Sequence, residues 1–247
     1  MRYLEHIHYS NCLEKDMTIR VYGHYGRTFL VFPCQNGQSD DYQLNGMIDH
    51  LKPYIEEGKI KLICVDAIDL ETFSNQYNSY EHRAYMQEQY YYYVINEVLP
   101  LIYKENNGFT LPIVTGCSMG ASQAAIMFFR RPDLFGGILA LSGCYDMSYF
   151  WSWWVNEHVY NNSPALFLEN MDINHHYINL YNQKKMVFCV GQGNYEYYVD
   201  WSFFKLRKSI ERLGIKAIMD VWGNDVNHHW YWWKKQYDYF LPIFIDN

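Results

Sequence analysis

The sequence predicts an α/β fold, with a mostly parallel central sheet, helices on both faces and a short aromatic-rich insert. Two observations lead there. Short apolar runs alternate with amphipathic stretches of helical period along nearly the whole length, the pattern of strands and their crossover helices. The chain also has 247 residues, 49% of them hydrophobic, and only 7 Pro, which suits a compact core and excludes a disordered or collagen-like chain. No Pro/Gly/Ser-rich linker divides it, so one domain is expected over residues 1–247.

Strands are expected at 17–22, 28–33, 61–65, 111–115, 137–141, 186–190 and 217–222. A helix over 44–57 follows from Leu44, Met47, Ile48, Leu51 and Tyr54, whose spacing has a period of about 3.6. A similar period marks 90–103, where Pro100 introduces a kink. The helix at 122–130 is short because Arg131-Pro132 stops it, Gly214 ends another at 203–213, and a last one covers 230–240. Only 144–185 lacks a sustained period, its aromatics Tyr145, Tyr149, Phe150, Trp151, Trp153 and Trp154 standing among Asn residues. Loops beyond ~15 residues are uncommon without a role. A cap or substrate-facing insert is expected there, with a cover for one sheet edge as the alternative.

Acidic residues outnumber basic ones by 27 to 20, a net charge of −7, and no Lys/Arg run exceeds a pair. A nucleic-acid groove needs clustered positive charge to displace phosphate counterions, so no nucleic-acid partner is expected. Glu and His interrupt the first sixteen residues before an apolar signal-peptide core can form, and no apolar run approaches the ~18 residues that cross a membrane. A soluble, cytoplasmic protein without a membrane partner is the expectation. Cys34, Cys64 and Cys189 lie in or at the ends of apolar runs, which favours buried reduced thiols over disulfides. The sequence contains no C-x-x-C, H-E-x-x-H or Walker-type loop. The adjacent pairs His175-His176 and His228-His229 cannot both face one metal as i, i+4 residues would. Neither a metal nor another cofactor is expected.

The strongest chemical signal is Gly116-Cys117-Ser118-Met119-Gly120, between the strand expected at 111–115 and the helix at 122–130. In a G-x-S-x-G turn this tight, side chains two positions either side of the serine would collide with neighbouring backbone, hence the glycines. The turn lifts the Ser118 hydroxyl clear of the sheet as a nucleophile. It also places the Met119 N–H at a helix N-terminus, ready to donate to a developing oxyanion. A serine hydroxyl needs a base, and in this topology an acid and then a histidine must follow it in the chain. The acid belongs just after the strand at 186–190, where Glu196 is the choice and Asp200 and Asn194 compete. The base belongs in the loop after 217–222, where His228 lies nearer the loop and His229 nearer the following helix. His6, His8, His24, His50 and His82 precede the nucleophile, and His158, His175 and His176 fall in the insert. A second oxyanion amide is expected from the loop after 28–33, with Gln35 the choice and Asn36 next.

Together these motifs resemble the α/β-hydrolase superfamily, and specifically its esterase D-like branch of S-formylglutathione hydrolases, feruloyl and acetyl-xylan esterases and mycolyltransferases. The likeness covers nearly the whole chain. The family's F-P-x-Q-x-G, G-C-S-x-G, S-G, G-x-G-x-W-E and H-D-W-x-x-W patterns correspond to 32–37, 116–120, Ser142-Gly143, 191–196 and 228–233. Tyr195 stands where Trp is usual before the acid, and His229 where Asp is usual after the base. The resemblance implies an α/β-hydrolase fold and a serine carboxylesterase acting through Ser118, His228 and Glu196, with Met119 and Gln35 amides holding the oxyanion. Its partner is a small-molecule ester of a small or medium acyl group, and a homodimer is compatible with it. A thioesterase or acyltransferase would use the same triad; a noncatalytic carbohydrate-binding protein would keep only the fold. Tyr149, Trp151, Trp153 and Trp154 are the candidates for lining the substrate cleft, since rings stack on sugar faces and bury apolar chains.

Overall fold

In a computed structural model, residues 1–245 are described. The chain runs β1 (Tyr3–Ser10), β2 (Lys15–Tyr22), β3 (Arg27–Phe32), α1 (Asp41–Leu44), α2 (Met47–Glu56), β4 (Ile60–Val65), α3 (Tyr80–Tyr93), α4 (Leu99–Glu105) and β5 (Ile113–Cys117). It continues with α5 (Met119–Arg130), β6 (Gly137–Leu141), α6 (Glu157–Asn161), α7 (Pro164–Glu169), α8 (Tyr177–Tyr181), β7 (Lys185–Val190), α9 (Asp200–Arg212), β8 (Ile218–Val221) and α10 (Trp230–Ile245). The eight strands form one sheet in the order β1-β2-β4-β3-β5-β6-β7-β8. Only β2 runs against the others, pairing antiparallel with β1 and β4, while the remaining pairs are parallel.

The central strands are mostly apolar because both faces are covered. Along β3, Leu30 and Phe32 enter the core beneath α3, α5 and α9, while Phe29 and Val31 enter the opposite core with α2 and α10. Strand β7 alternates in the same way, Phe188 and Val190 to the first and Val187 and Cys189 to the second. A third, smaller cluster joins Phe73, Ala84, Met119 and Ile126 to Met147, Trp151 and Val159.

Three expectations are corrected. Strand β1 was not foreseen, because its half-buried face carries Leu4, His6 and His8, whereas Tyr3, Ile7 and Tyr9 point outward. The helix expected over 90–103 begins ten residues earlier, where the Ser79 hydroxyl accepts the His82 N–H. It continues through a π-helical turn, Val94–Val98, into α4, which has Pro100 in its first turn, where the missing proline N–H is least costly. The stretch 144–185 is built of a 3₁₀ turn (Met147–Trp151) and α6, α7 and α8. It supplies Tyr145, Ala165, Leu168, Ile178 and Tyr181 to the main core, and Cys144, Tyr149 and Phe150 of it line the cavity over Ser118. Among the described residues no helix is long and apolar enough to cross a membrane.

Candidate functional site

The strand order reverses at β3, whose neighbours are β4 and β5, and the crevice at the carboxyl ends there is where open α/β sheets bind ligands. Ser118 sits at that point, between β5 and α5, with φ 55° and ψ −125°. The flanking glycines are needed. A Cβ on Gly116 would lie 2.3 Å from Gly120 C, and one on Gly120 would lie 2.2 Å from Phe32 O. The turn is therefore pressed against both itself and the end of β3.

Two loops bring the other groups to Ser118. The segment after β7 and the segment after β8 are joined by Gly193 N–H to Val226 O (2.9 Å), Asn194 N–H to Asn227 Oδ1 (2.8 Å) and His228 N–H to Asn194 O (3.0 Å). A Cβ on Gly191 would lie 2.3 Å from Val226 O, so the two backbones meet without side chains between them. The result is a continuous chain of contacts. His228 Nε2 lies 2.8 Å from Ser118 Oγ, and His228 Nδ1 lies 3.3 Å from Glu196 Oε2. Glu196 is fully buried, and its other oxygen accepts the Ser142 hydroxyl at 2.7 Å. Ser142 Oγ in turn accepts the Trp233 indole N–H at 3.1 Å, while the Trp233 ring stands edge-on to His228 with centroids 5.0 Å apart. The competing residues are elsewhere: Asn194 is used through its backbone, Asp200 opens α9, and the exposed His229 accepts the Tyr231 N–H with Nδ1. Ser142 and Trp233 were not given roles beforehand, although Ser142-Gly143 and the 228–233 stretch that ends on Trp233 are both among the motif matches.

Gln35 and Met119 border the same cavity, about 300 Å³ in volume, that opens over Ser118 and His228. Buried or half-buried carboxylates take the amides either side of Gln35: Asp41 Oδ2 accepts the Cys34 N–H and Asp69 Oδ2 the Asn36 N–H, each at 2.9 Å. Among the described residues the Gln35 N–H has no acceptor. The Met119 N–H, first in α5, has no intrahelical one.

Tyr149, Phe150, Tyr195 and Tyr198 form the cavity's aromatic wall. Of the four aromatics proposed from the insert only Tyr149 lines it, and Trp151, Trp153 and Trp154 do not. The three-residue period of the 3₁₀ turn puts Ser148 and Trp151 on one inward side, where Trp151 is 1% exposed and its indole N–H donates to Tyr80 O at 3.1 Å. Trp154 packs beside the same small cluster, and Trp153 lies on the rim against Tyr149 and Trp201. Phe150, Tyr195 and Tyr198 were missed; the last two belong to the acid loop, whose aromatic run was legible. Cys144 also faces the cavity, but burial pushes its thiol up to about 12, leaving it protonated and a poor nucleophile at neutral pH.

The wall is braced by Arg83 of α3, buried without a carboxylate partner among the described residues. Its guanidinium donates to Thr72 O (2.7 Å), Phe73 O (3.2 Å) and Phe150 O (2.8 Å) and lies over the Trp151 ring. Arg83→Ala would strand three carbonyls and hollow out the small cluster, an expected loss of about 3 kcal/mol. Thermal denaturation checks this; a midpoint within about 2 °C of the parent would exclude the brace.

A model of the family described as "Putative esterase" matches residues 10–239. No curated protein matches the sequence. Among solved structures, the chain is similar to a ferulic acid esterase, with a TM-score of 0.72 at 16% identity over 99% of this chain and 98% of that one. It is similar to an S-formylglutathione hydrolase from Agrobacterium tumefaciens, at 0.74 and 14% over 98% and 93%. It is also similar to MPT51 of Mycobacterium tuberculosis, at 0.71 and 11% over 99% and 98%. At such identities the likenesses speak to the fold, the α/β-hydrolase fold, and the family match speaks to membership. That match takes in the turn at Ser118 and both loops that converge on it, and the protein belongs to this esterase family, a carboxylic ester hydrolase.

Proposed function

We propose that Ser118, His228 and Glu196 act as a catalytic triad in a serine carboxylesterase for small or medium acyl esters. The observation that carries this reading is the 2.8 Å approach of His228 Nε2 to Ser118 Oγ at the floor of the cavity. Ser118 Oγ attacks the ester carbonyl as its proton passes to His228 Nε2, and the carbonyl electron pair moves onto an oxygen facing the Met119 and Gln35 N–H groups. Collapse of that intermediate breaks the ester C–O bond. The leaving alkoxide takes the proton from His228 and departs as alcohol, leaving the acyl group on Ser118. A water then gives a proton to His228 and attacks the acyl carbon; collapse returns the proton to Ser118 Oγ and releases the acid. Glu196 accepts the His228 Nδ1–H throughout, which keeps Nε2 free to accept and stabilises the imidazolium.

A cavity of about 300 Å³ lies at the small end of ligand pockets, which supports small or medium acyl groups. All six thiols are unpaired, which supports a reducing, cytoplasmic setting. One sheet carries every group of the site, which supports a single domain. The test is turnover of p-nitrophenyl acetate and butyrate together with labelling by a fluorophosphonate, the modified peptide located by mass spectrometry. Hydrolysis with the label on Ser118 is expected. No turnover and no label on Ser118 would overturn the reading.

A further inference from the structure

We propose that Asp69 is a positioning residue for ester hydrolysis, holding the Asn36 N–H and so aiming the neighbouring Gln35 N–H at the carbonyl oxygen over Ser118. The inference rests on the proposed triad and on Gln35 as an oxyanion donor.

The loop at issue is a tight turn, closed by the Gly37 N–H donating to Cys34 O at 2.8 Å, with Gln35 and Asn36 at its centre. Asn36 has φ 63°, the left-handed region that non-glycine residues seldom adopt. Asp69 grips this residue directly, Oδ2 accepting its N–H at 2.9 Å. It also acts on Gln35 by a second route. The Asp69 main-chain carbonyl accepts the Thr72 N–H (3.1 Å) and the Ser74 N–H (2.8 Å), closing a turn, and Ser74 Oγ accepts the Gln35 Nε2–H at 2.8 Å. Both ends of residue 35 thus lead to Asp69. Asp41 on Cys34 completes the frame, and the residue whose amide is left unclaimed between the two carboxylates, Gln35, is the one that lines the cavity.

Asp69 is an expensive way to hold one amide. It is 1% exposed, its Oδ1 is buried with no donor among the described residues, and burial pushes its carboxyl up to about 7 against the lowering effect of the Asn36 N–H. A neutral acceptor would serve packing alone at lower cost. The charged and titratable groups around it offer no compensation in kind. Lys15 of β2, which shares a cavity of about 190 Å³ with Asp69, is taken by Glu71; Asp16 and Asp66 add negative charge; Cys34 and Tyr90 are neutral.

The experiment compares the parent, Asp69→Ala, Asp69→Asn and, as the control for the triad, Ser118→Ala, on p-nitrophenyl butyrate, with active sites counted by fluorophosphonate labelling. Asp69→Ala is expected to lower kcat per labelled site about 10- to 30-fold with KM within about 3-fold, since an oxyanion donor acts on the transition state. Its affinity for a trifluoromethyl ketone, which forms a tetrahedral adduct, should fall by the same factor. Asp69→Asn keeps an oxygen for the Asn36 N–H and should recover kcat to within about 3-fold. Its loss of a buried charge lets it fold at least as stably as the parent at pH 8. Parent-like kcat in Asp69→Ala, a loss that only tracks the unlabelled fraction, or an Asp69→Asn variant as slow as Asp69→Ala each overturns the inference. Full activity in Ser118→Ala would instead remove the triad reading, whatever Asp69 does.

Discussion

Ser118→Ala and His228→Ala are each expected to lower kcat/KM for p-nitrophenyl butyrate by at least ~10³-fold, while His229→Ala stays within a few-fold of the parent. A factor of that size corresponds to about 4 kcal/mol of transition-state stabilisation, more than any change in cleft packing at one residue would remove. The adjacent histidines make the comparison sharp. His228 has one ring nitrogen 2.8 Å from Ser118 Oγ and the other 3.3 Å from Glu196. His229 is exposed and uses Nδ1 to accept the Tyr231 N–H at the start of α10, a capping contact worth about 1 kcal/mol of stability and nothing in proton transfer. The measurement is initial rates of all four proteins at pH 8. An inactive His229→Ala beside an active His228→Ala would place the base one residue away from the geometry.

Glu196→Gln should cost ~10³–10⁴ in kcat, although it changes one heavy atom. The reason lies in which way protons point. An indole N–H only donates, so Trp233, aimed at Ser142 Oγ, forces the Ser142 proton toward Glu196 Oε1. Glu196 therefore accepts on both oxygens, from Ser142 on one and from His228 Nδ1–H on the other. Glutamine can accept on only one. Its amide N–H₂ must oppose the Ser142 hydroxyl or turn on His228 Nδ1, and the second choice leaves the proton on Nε2, where it blocks transfer from Ser118. Ser142→Ala removes two neutral-donor hydrogen bonds, to Glu196 and from Trp233, but leaves the His228–Glu196 contact in place and should cost only about 10-fold. Steady-state kinetics of both variants test this ordering. A Glu196→Gln enzyme within 10-fold of the parent would move the acid elsewhere, with Asp200 the residue to examine.

The parts of this molecule that were legible in its sequence are those whose physics is local. Strands covered on both faces must be mostly apolar, so β3 to β7 stood out. A serine on a tight turn needs glycines at fixed offsets, so Gly116 and Gly120 marked Ser118. The proposed acid and base lie just beyond predicted strand ends, so chain order pointed to Glu196 and His228, which the structure brings to Ser118. Strand β1 escaped because the sheet's edge tolerates His6 and His8 on the covered side. The cleft wall was misread for another reason: in a short 3₁₀ turn consecutive aromatics diverge, sending Trp151 into a core and Tyr149 toward the cavity. Asp69 and Arg83 act through contacts 33 and 67 residues away in sequence, and no local pattern distinguishes them from ordinary polar residues.

The two residues that meet at 2.8 Å over the cavity are 110 positions apart in the chain, with the acid between them. Ser118 stands at the end of β5, whereas His228 is held in place by the pairing of β8 with β7 and by the hydrogen bonds between the two loops. On the proposed triad, the Ser118 hydroxyl without those two loops is an ordinary alcohol, even on a fully formed turn. On the proposed triad, an activity-based probe therefore counts only molecules in which β8 is paired with β7 and the two loops have met.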